Sequence, residues 1–366
     1  MNILQVIYSL TQGGAERFVV NLSNELADKG HAVTLCIFRS DELEPAMTFN
    51  RQFLNGKVKF INMNIPAGFS MNKIKQVESL VNQINPDIIH CHLNVIPYFY
   101  RMAIMKKNIK IFHTLHNVAE KTYGSKLQYY INKFFYGNKL IIPVAISKEC
   151  QLSYKRHYHL PSVPYINNGC PKVLPTERFS MTQKEVSSFK MNTNDLVFIH
   201  VARFHPQKNQ DLLIKSFNKL AFEGRKFTLL IIGDKFDTPK GMELQQKACP
   251  NIHFLGLKSN VGDYLLCSDA FCLSSFYEGL PISLLEALSC GCVPVCTPVG
   301  GIIDVITDQT NGYLSKDLSV ESYTSKIKEF MNHPELISKE KLTSYFKDNF
   351  SMEQCTDKYL QLYLSK

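Results

Sequence analysis

Residues 278–288 read EGLPISLLEAL, and within 279–303 the only formally charged residue is Glu286. A carboxylate in apolar surroundings loses much of its hydration energy unless a protein group or a ligand hydrogen-bonds it. Pro281 suits the first turn of a helix, where a backbone N–H has no partner to lose. In a helix over 281–289, Glu286 falls at the margin of the apolar face, toward a cleft. The stretch therefore predicts a core helix that carries one carboxylate at its edge.

Two interpretations of Glu286 stay open from the residues alone. In the first, the free amides at the helix start bind a phosphate and the carboxylate binds a neutral diol, a combination that describes a nucleotide. In the second, Glu286 is structural and is tied to a backbone amide or a buried arginine.

Apolar runs of strand length alternate with helical patterns along the whole chain, which predicts parallel sheets covered by helices on both faces. The segment NNGCPKVLPTER (167–178) is rich in turn-forming residues and has no periodicity, which marks a linker. The fold class is therefore α/β, with two doubly wound Rossmann-like domains in tandem. The predicted strands are Ile3–Tyr8, Val33–Phe38, Asp87–Cys91, Lys110–Thr114, Leu140–Ala145, Leu196–Ala202, Thr228–Ile232, Ile252–Phe254, Ala270–Leu273 and Val293–Cys296.

The formal net charge of +9 comes from the amino-terminal half of the chain. Residues 1–170 hold 19 Lys and Arg against 10 Asp and Glu, whereas 171–366 hold 22 of each. The segment 101–156 has 11 basic residues against Glu120 and Glu149, interleaved with tyrosine and phenylalanine. Such a segment is typical of a surface for anionic lipid or nucleic acid, or simply of a solvated face. No nucleic-acid-binding motif accompanies it.

Several classes of protein are disfavoured. The start MNILQVIYSL has no basic region before its apolar run, so no signal peptide is expected. The uncharged run around Glu286 contains three prolines and four glycines, which indicates buried core rather than a membrane span. Eleven scattered cysteines without a CxxC pair predict reduced, mostly buried thiols of a cytosolic protein. A metal site at Cys290, Cys292 and Cys296 is disfavoured because a fourth ligand is missing.

Two further loops at predicted strand ends carry candidate binding groups. In VARFHPQKN (201–209), Arg203 and Lys208 follow a parallel strand, where open α/β sheets bind ligands, and together suit a pyrophosphate. In SLTQGGAER (9–17), Gly13 and Gly14 would let the backbone approach a ligand closely. The chain has no GxGxxG, GK[ST] or DxD motif, which argues against a dinucleotide site, a P-loop and a metal-bridged nucleotide diphosphate.

Four histidines lie near predicted strand ends: His90, His92, His113 and His116. A zinc site is disfavoured because no carboxylate or cysteine partner accompanies them. His116 is the one expected to face the cleft between the domains, and the other three are expected to be packed or surface residues.

Together these segments resemble the retaining glycosyltransferases of family 4, which have the GT-B fold. The resemblance extends over nearly the whole chain, from the GGAER loop through TLHN, INNG, VARFHPQKN and LLIIGDK to FYEGLPISLLEALSCGCVPVCTPVGG and FSMEQCTDKYLQLYL. Its most specific element is the E-x7-E motif formed by Glu278 and Glu286. One departure is Asp304 in GGIID, where family members usually have glutamate.

The resemblance implies a role for each candidate residue. Glu286 would bind the nucleotide ribose, and Glu278 would bind hydroxyls of the donor sugar. Arg203 and Lys208 would bind the diphosphate, and His116 would lie beside the transferred sugar. The catalytic candidates are therefore His116, Glu278, Arg203 and Lys208. The donor-binding candidates are Gly13, Gly14, Arg203, Lys208, Leu257, Glu278, Gly279, Leu280, Pro281 and Glu286.

The resemblance also implies a domain layout and a reaction. Residues 1–170, completed by a carboxy-terminal helix within 350–366, would bind the acceptor, and 171–349 would bind the nucleotide sugar across a central cleft. The reaction would transfer a hexose or N-acetylhexosamine, with retention, from a UDP-sugar, with a GDP-sugar as the alternative. No metal or other cofactor is expected. The acceptor would be lipid-linked, in bacterial surface-polysaccharide synthesis such as that of capsule or O-antigen, at the cytoplasmic face of the membrane through 101–156.

Alternative functions remain. A nucleotide-sugar epimerase shares this fold but would not need a basic surface. A pyridoxal-phosphate-dependent phosphorylase also shares it, but no cofactor lysine is evident in this shorter chain. A nucleic-acid-binding protein would use the basic segment 101–156.

Overall fold

The computed structural model of the protein describes residues 1–39, 45–65, 70–106, 108–121 and 125–365. These residues form two compact domains, one comprising Met1–Pro171 with Met352–Lys366 and the other Lys172–Ser351. The sequence placed these boundaries near 170 and 350, and the substrates that it assigns to the two domains stay predictions.

The first domain is built on a six-stranded parallel sheet with the strand order β3-β2-β1-β4-β5-β6. Its central strands are buried apart from the first residues of β1 and β5, because helices cover both faces of the sheet, and they carry polar residues such as Gln5 and His92 among apolar ones. The six strands are β1 (Asn2–Ile7), β2 (Ala32–Ile37), β3 (Lys59–Asn62), β4 (Ile88–His92), β5 (Lys110–Leu115) and β6 (Ile142–Ala145). Its α-helices are α1 (Gly14–Asp28), α2 (Met71–Ile84), α3 (Tyr100–Met105), α4 (Lys126–Gly137) and α5 (Lys148–Tyr158), and its 3-10 helices are Pro45–Phe53, Leu93–Phe99 and Ala119–Lys121.

The second domain repeats this architecture with the strand order β12-β11-β10-β7-β8-β9. Its strands are β7 (Leu196–Val201), β8 (Phe227–Ile232), β9 (Ile252–Gly256), β10 (Ala270–Leu273), β11 (Val293–Cys296) and β12 (Tyr313–Leu314). Its helices are α6 (Phe179–Phe189), a 3-10 turn Pro206–Lys208, α7 (Gln210–Phe222), α8 (Pro239–Gln246), α9 (Val261–Leu266), α10 (Ile282–Ser289), α11 (Ile302–Val305), α12 (Val320–Asn332) and α13 (Lys339–Phe350). Strands β7 and β10 are neighbours at the centre of this sheet, which brings their carboxyl ends together.

The last helix, α14 (Met352–Leu364), belongs to the first domain. Its buried Tyr359 hydroxyl lies 3.1 Å from Thr114 Oγ1 of β5, and its Tyr363 hydroxyl lies 2.6 Å from His90 Nδ1 of β4. Both tyrosine side chains are almost fully buried. The end of the chain is therefore part of the core of the first domain.

The prediction of two doubly wound parallel sheets is confirmed. Strands β10 and β11 have the predicted bounds, and the other predicted strands differ by one or two residues at one or both ends. Strands β3 and β12 were not predicted. Both lie at sheet edges. Strand β12 has only two residues, and β3 (KFIN) has no fully buried residue, so neither shows the apolar run that marks a buried strand.

The expectation of buried thiols is confirmed, since nine of the eleven cysteines are buried. Cys290, Cys292 and Cys296 are among the buried nine. In the part of the chain that the structure describes, no three His, Cys, Asp or Glu side chains come together as metal ligands would. Nor does any helix of that part combine the length and apolarity needed to cross a bilayer.

Candidate active site

Helix α10 carries the glutamate that the sequence singled out. Ile282, Leu284 and Leu288 are buried, whereas Glu286 is only half-buried, as expected for a residue at the margin of the apolar face. Pro281 is the residue that precedes the helix (φ −68°, ψ 126°), not its first helical residue. The missing N–H of proline is harmless at either position, so the sequence could not distinguish them.

Glu278 forms the polar centre of the site. Its carboxylate is buried, and its Oε1 accepts hydrogen bonds from Lys208 Nζ and from Ser275 Oγ, each 2.6 Å long. Gln207 Nε2 lies 3.4 Å from the other carboxylate oxygen, Oε2. Buried charge is tolerated only when it is paired and hydrogen-bonded, and this arrangement supplies both.

The loops after β7 and β10 are fastened to each other beside this ion pair. Gln207 Nε2 donates to the Tyr277 carbonyl (2.8 Å), and Phe276 N donates to the Gln207 carbonyl (2.8 Å). The Ser274 hydroxyl also lies 3.0 Å from the carbonyl oxygens of Lys208 and Asn209. Lys208 and Glu278 are therefore positioned by backbone as well as by their mutual attraction.

A glycine pair after β11 supports the loop of Glu278 from the other side. Gly301 N donates to the Gly279 carbonyl at 2.7 Å. Gly300 has φ +52°, and a β-carbon there would lie 1.8 Å from the Glu278 carbonyl oxygen. Only glycine fits at position 300 on both counts.

The remaining candidates of the second domain lie at carboxyl ends of strands. Arg203 follows β7, its side chain is exposed, and its carbonyl accepts from Gln210 Nε2 at 3.0 Å. Leu257 follows β9 and is also exposed. Strand β9 extends two residues past its predicted end, through Leu255 to Gly256, which has φ +64°. The structure thus pairs Lys208 with Glu278 directly, while Arg203 and Leu257 extend into solvent near the same edge of the sheet.

In the first domain, the glycine loop joins β1 to α1. Gly13 immediately precedes the helix with an extended backbone, and Gly14 is the exposed first helical residue. Glu16 folds back over Gly13, where its Oε1 accepts a 2.9 Å hydrogen bond from Thr11 Oγ1. A cavity of about 410 Å³ adjoins this loop; its lining includes Tyr8, Ser9, Glu16, Asn94 and Tyr98.

The four histidines are held by hydrogen bonds to neighbouring side chains and backbone. His113 is bound by the Tyr136 hydroxyl and the Leu93 carbonyl, and His90 by Tyr363 and Thr114. His116 follows β5 directly and is half-buried. Its Nε2 lies 3.0 Å from His92 Nδ1.

Burial decides the protonation of these imidazoles, because it disfavours the charged form. It lowers the pKa of His113 to about 4 and that of His116 to about 3. It also lowers the pKa values of His90 and His92 well below the ordinary range. All four imidazoles are therefore neutral at pH 7.

Two family models match this chain. The model "Glycosyltransferase Family 4" matches residues 12–171, and the model "Glycosyl transferases group 1" matches residues 181–348. With the two parallel sheets described above, these matches place the chain among the GT-B glycosyltransferases of the family 4 type. It is a glycosyltransferase, and its relatives include transferases named for diphosphoundecaprenol-linked sugars.

Individual relatives are distant but match most of the chain. The N-acetyl-alpha-D-glucosaminyl L-malate synthase of Bacillus anthracis is 25% identical over 316 residues, which is 82% of this chain and 80% of that protein. The UDP-Gal:alpha-D-GlcNAc-diphosphoundecaprenol alpha-1,3-galactosyltransferase of Escherichia coli is 23% identical over 320 residues, 82% of this chain and 81% of that protein. The structure of Anabaena HepE with UDP and glucose has a TM-score of 0.79 at 18% identity and covers 99% of both chains.

Sequence reasoning missed the groups that position the site. Gln207 and Ser275 hold Glu278, and His92 holds His116, but none of the three was assigned a role. The positive φ of Gly300 was also missed. A paired glycine after a strand is a usable signal for such a contact, whereas a glutamine or serine in a loop gives no signal in a single sequence.

We expect Gly300→Ala to destabilise the second domain by about 3 kcal/mol, because the new β-carbon meets the Glu278 carbonyl and the backbone is strained. Gly224→Ala is the matched control, since Gly224 has φ +75° but open space around its β-carbon position. It should cost only about 1–2 kcal/mol, from backbone conformation alone. Urea unfolding of both variants measures the difference, and equal losses would contradict the proposed contact.

The buried histidines predict a loss of stability in mild acid. Between about pH 6.5 and about pH 4 the unfolded chain binds a proton at His113 that the folded chain does not, so stability falls as the pH falls. His113→Gln should reduce the slope of unfolding free energy against pH by about 1.4 kcal/mol per pH unit in that range. Urea unfolding at several pH values gives both slopes, and identical slopes would show that His113 is protonated in the folded protein.

Proposed function

We propose that this glycosyltransferase transfers a hexose or N-acetylhexosamine from a UDP-sugar to a lipid-linked glycan acceptor, with retention of anomeric configuration. The observation that supports it most is the pair of the half-buried Lys208 and the buried Glu278, in the loops at the carboxyl ends of β7 and β10. Open α/β sheets bind nucleotides at this edge. An ammonium and a carboxylate held side by side suit a donor that has an anionic diphosphate next to a sugar with hydroxyl groups.

Lys208 has the chemistry to bind both groups at once. A lysine ammonium has three N–H donors, and one of them is used by Glu278, which leaves two for diphosphate oxygens. Arg203, which follows the same strand β7, would add a planar guanidinium to the same anion. As the bond to the sugar breaks, these cations would stabilise the negative charge that grows on the departing UDP.

The other groups would orient the donor, and the departing phosphate would take up the proton of the acceptor hydroxyl. Glu278 would accept hydrogen bonds from sugar hydroxyls, and Glu286 would accept them from the ribose. The loop of Gly13 and Gly14 would contact the phosphates, with Gly279, Leu280 and Pro281 at the sugar. The acceptor hydroxyl would pass its proton to the departing phosphate oxygen, so that the step needs no metal and no other cofactor.

The cavity beside the glycine loop is the proposed site of the acceptor. Tyr8 and Tyr98 supply aromatic surface for the apolar face of a sugar ring, and Ser9, Glu16 and Asn94 supply hydrogen-bonding groups. The E. coli relative has a diphosphoundecaprenol-linked acceptor in its name, and lipid-linked glycans are the acceptors that we propose for this chain.

Helix α4 is the proposed contact with the membrane surface. Its Leu127, Tyr130 and Phe134 follow one another at helical spacing and are 69%, 66% and 55% exposed. Lys126 and Lys139 are exposed at the two ends of this stripe. Basic side chains are attracted to anionic headgroups and aromatic rings settle at the headgroup level, so this surface fits an anionic bilayer. Lys107 and residues 122–124 of the basic segment 101–156 lie outside the described residues.

Two other functions account for less of the structure. A nucleotide-sugar epimerase would use the same Lys208–Glu278 site but leaves the exposed apolar stripe of α4 without a purpose. A nucleic-acid-binding protein would use the basic charge, but the stripe between Leu127 and Phe134 is apolar where phosphate contacts would be needed.

Nucleotide binding is tested by thermal shift in buffer that contains EDTA. UDP at 100 times its dissociation constant should stabilise the protein by about 2.7 kcal/mol, because it binds only the folded state. GDP should give no comparable shift, and EDTA should change neither result. Stabilisation by GDP alone would overturn the UDP assignment, and a shift by UDP that requires added magnesium or manganese would overturn metal independence.

Arg203→Ala and Lys208→Ala should each lower turnover of the UDP-sugar by about 100-fold or more, because each removes a cation that stabilises the leaving group. Lys215→Ala is the charge-matched control, since Lys215 is exposed on α7 and pairs only with the neighbouring Asp211 among described residues. It should retain full activity. Equal activity of all three variants would remove the diphosphate role from Arg203 and Lys208.

Vesicle co-sedimentation tests the membrane contact. The protein should bind anionic but not neutral vesicles, less so at high salt, and binding should fall when Lys126, Lys133 and Lys139 are all changed to Glu. The matched control changes Lys184, Lys240 and Lys341 to Glu, because these exposed lysines of the second domain give the same change in net charge. Equal loss in both triple variants, or equal binding to neutral vesicles, would contradict a specific surface on α4. Stronger binding to RNA than to vesicles would favour the nucleic-acid alternative.

A further inference from the structure

A line of three side chains runs across the centre of the first sheet to His116. Gln5 lies on β1, His92 on β4 and His116 just after β5, and these three strands are adjacent. Gln5 Oε1 is 2.8 Å from His92 Nε2, and His92 Nδ1 is 3.0 Å from His116 Nε2. Gln5 and His92 are fully buried, so only the His116 end of the line reaches solvent.

The order of the hydrogen bonds fixes where each proton lies. An amide oxygen only accepts, so His92 Nε2 carries the proton that joins it to Gln5. A neutral imidazole has one N–H, and His92 Nδ1 must then accept. His116 Nε2 is therefore the donor of the next bond, which leaves a lone pair on His116 Nδ1.

The surroundings of the two imidazoles favour this neutral arrangement. The Phe18 ring packs edge-on against both, with centroids 6.3 Å from His92 and 5.7 Å from His116. The titratable groups that face them are other imidazoles, His90 and His113, and no carboxylate contributes to their electrostatics. A second proton on either ring would thus be buried without a counter-charge.

We propose that Gln5 and His92 are positioning residues that fix His116 as its Nε2–H tautomer, so that Nδ1 accepts a hydrogen bond from a hydroxyl of the transferred sugar. No described residue hydrogen-bonds His116 Nδ1, and the side chain is partly exposed. This inference rests on the proposed function and on the family resemblance, which implies that His116 lies beside that sugar.

The inference limits the class of donor sugar. The Nδ1 lone pair accepts a hydrogen bond from a neutral hydroxyl. It repels a carboxylate, because neither Nδ1 nor the carboxylate can donate a hydrogen bond. The enzyme should therefore prefer a neutral UDP-hexose or UDP-N-acetylhexosamine to the corresponding UDP-hexuronate. His116 itself, neutral and already bonded through its only N–H, is not an acid for the leaving group.

Nitrogen-15 NMR of the imidazole side chains tests the tautomer directly on the full-length protein. The signals of His116, assigned by their loss in His116→Gln, should show a protonated Nε2 and an unprotonated Nδ1 at pH 7. A protonated Nδ1 in the wild type would overturn the inference whatever the enzyme does. This readout does not depend on activity, so it separates failure of the inference from failure of the proposed function.

Gln5→Glu is designed to reverse the line of hydrogen bonds. A carboxylate at position 5 favours the doubly protonated form of His92, whose Nδ1–H would then donate to His116 Nε2 and move the His116 proton to Nδ1. His92→Asn should preserve the original tautomer, because the Asn oxygen can accept from His116 Nε2. Thr114→Val is the control, since it removes the side-chain bonds to His90 and Tyr359 in the same sheet, while the Thr114 hydroxyl bonds neither Gln5 nor His92.

Kinetics of the same variants test the consequence for the sugar. Gln5→Glu should lower kcat/KM for the preferred neutral UDP-sugar by about tenfold, whereas His92→Asn and Thr114→Val should stay within about threefold of wild type. The preference over the UDP-hexuronate should shrink only in Gln5→Glu. An unchanged preference in a Gln5→Glu protein whose NMR shows the reversed tautomer would overturn the role toward the sugar. Absence of transfer by the wild type, with the tautomer as expected, would instead refute the proposed function.

Discussion

The site of the second domain depends on one ion pair, between the half-buried Lys208 and the buried Glu278. Removing a charged pair from water is costly, and here the cost is offset by the short contact and by hydrogen bonds from Ser275 and Gln207. Those bonds form only because β7 and β10 are neighbours and because Gly300 allows the backbone to pass close to Glu278. Loss of Lys208 would leave the buried Glu278 carboxylate without its counter-charge, worth about 3–5 kcal/mol.

The presence of the Lys208–Glu278 pair is better explained by ligand binding than by a contribution to folding stability. An apolar pair of similar volume would stabilise the two loops at least as well. The first domain shows the same use of buried polar groups, because Gln5, His92 and His116 form a line of hydrogen bonds where apolar side chains would pack more simply. Polar groups at the carboxyl ends of central strands are thus the shared feature of both domains, and they occur where α/β sheets bind their substrates.

The sequence predicted the fold class and most strands because fully buried parallel strands leave long apolar runs. It also predicted a carboxylate at the margin of α10, since helical periodicity alone places Glu286 there. It did not predict the contact between Lys208 and Glu278, which are 70 residues apart and meet only through the order of strands in the sheet. Nor could it predict the bond between His92 and His116 (24 residues apart), because pairing of β4 with β5 is a property of the folded sheet.

The central claim is that Glu278 binds the sugar while Lys208 binds the diphosphate, and calorimetric titration of Glu278→Gln tests it most directly. UDP should bind this variant as tightly as wild type or more tightly, because Lys208 keeps its charge and loses its competing carboxylate. The UDP-sugar that wild type binds best should lose about tenfold in affinity, the effect of weakening one charge-assisted hydrogen bond. Equal losses for UDP and the UDP-sugar, or no loss for either, would contradict this division of roles.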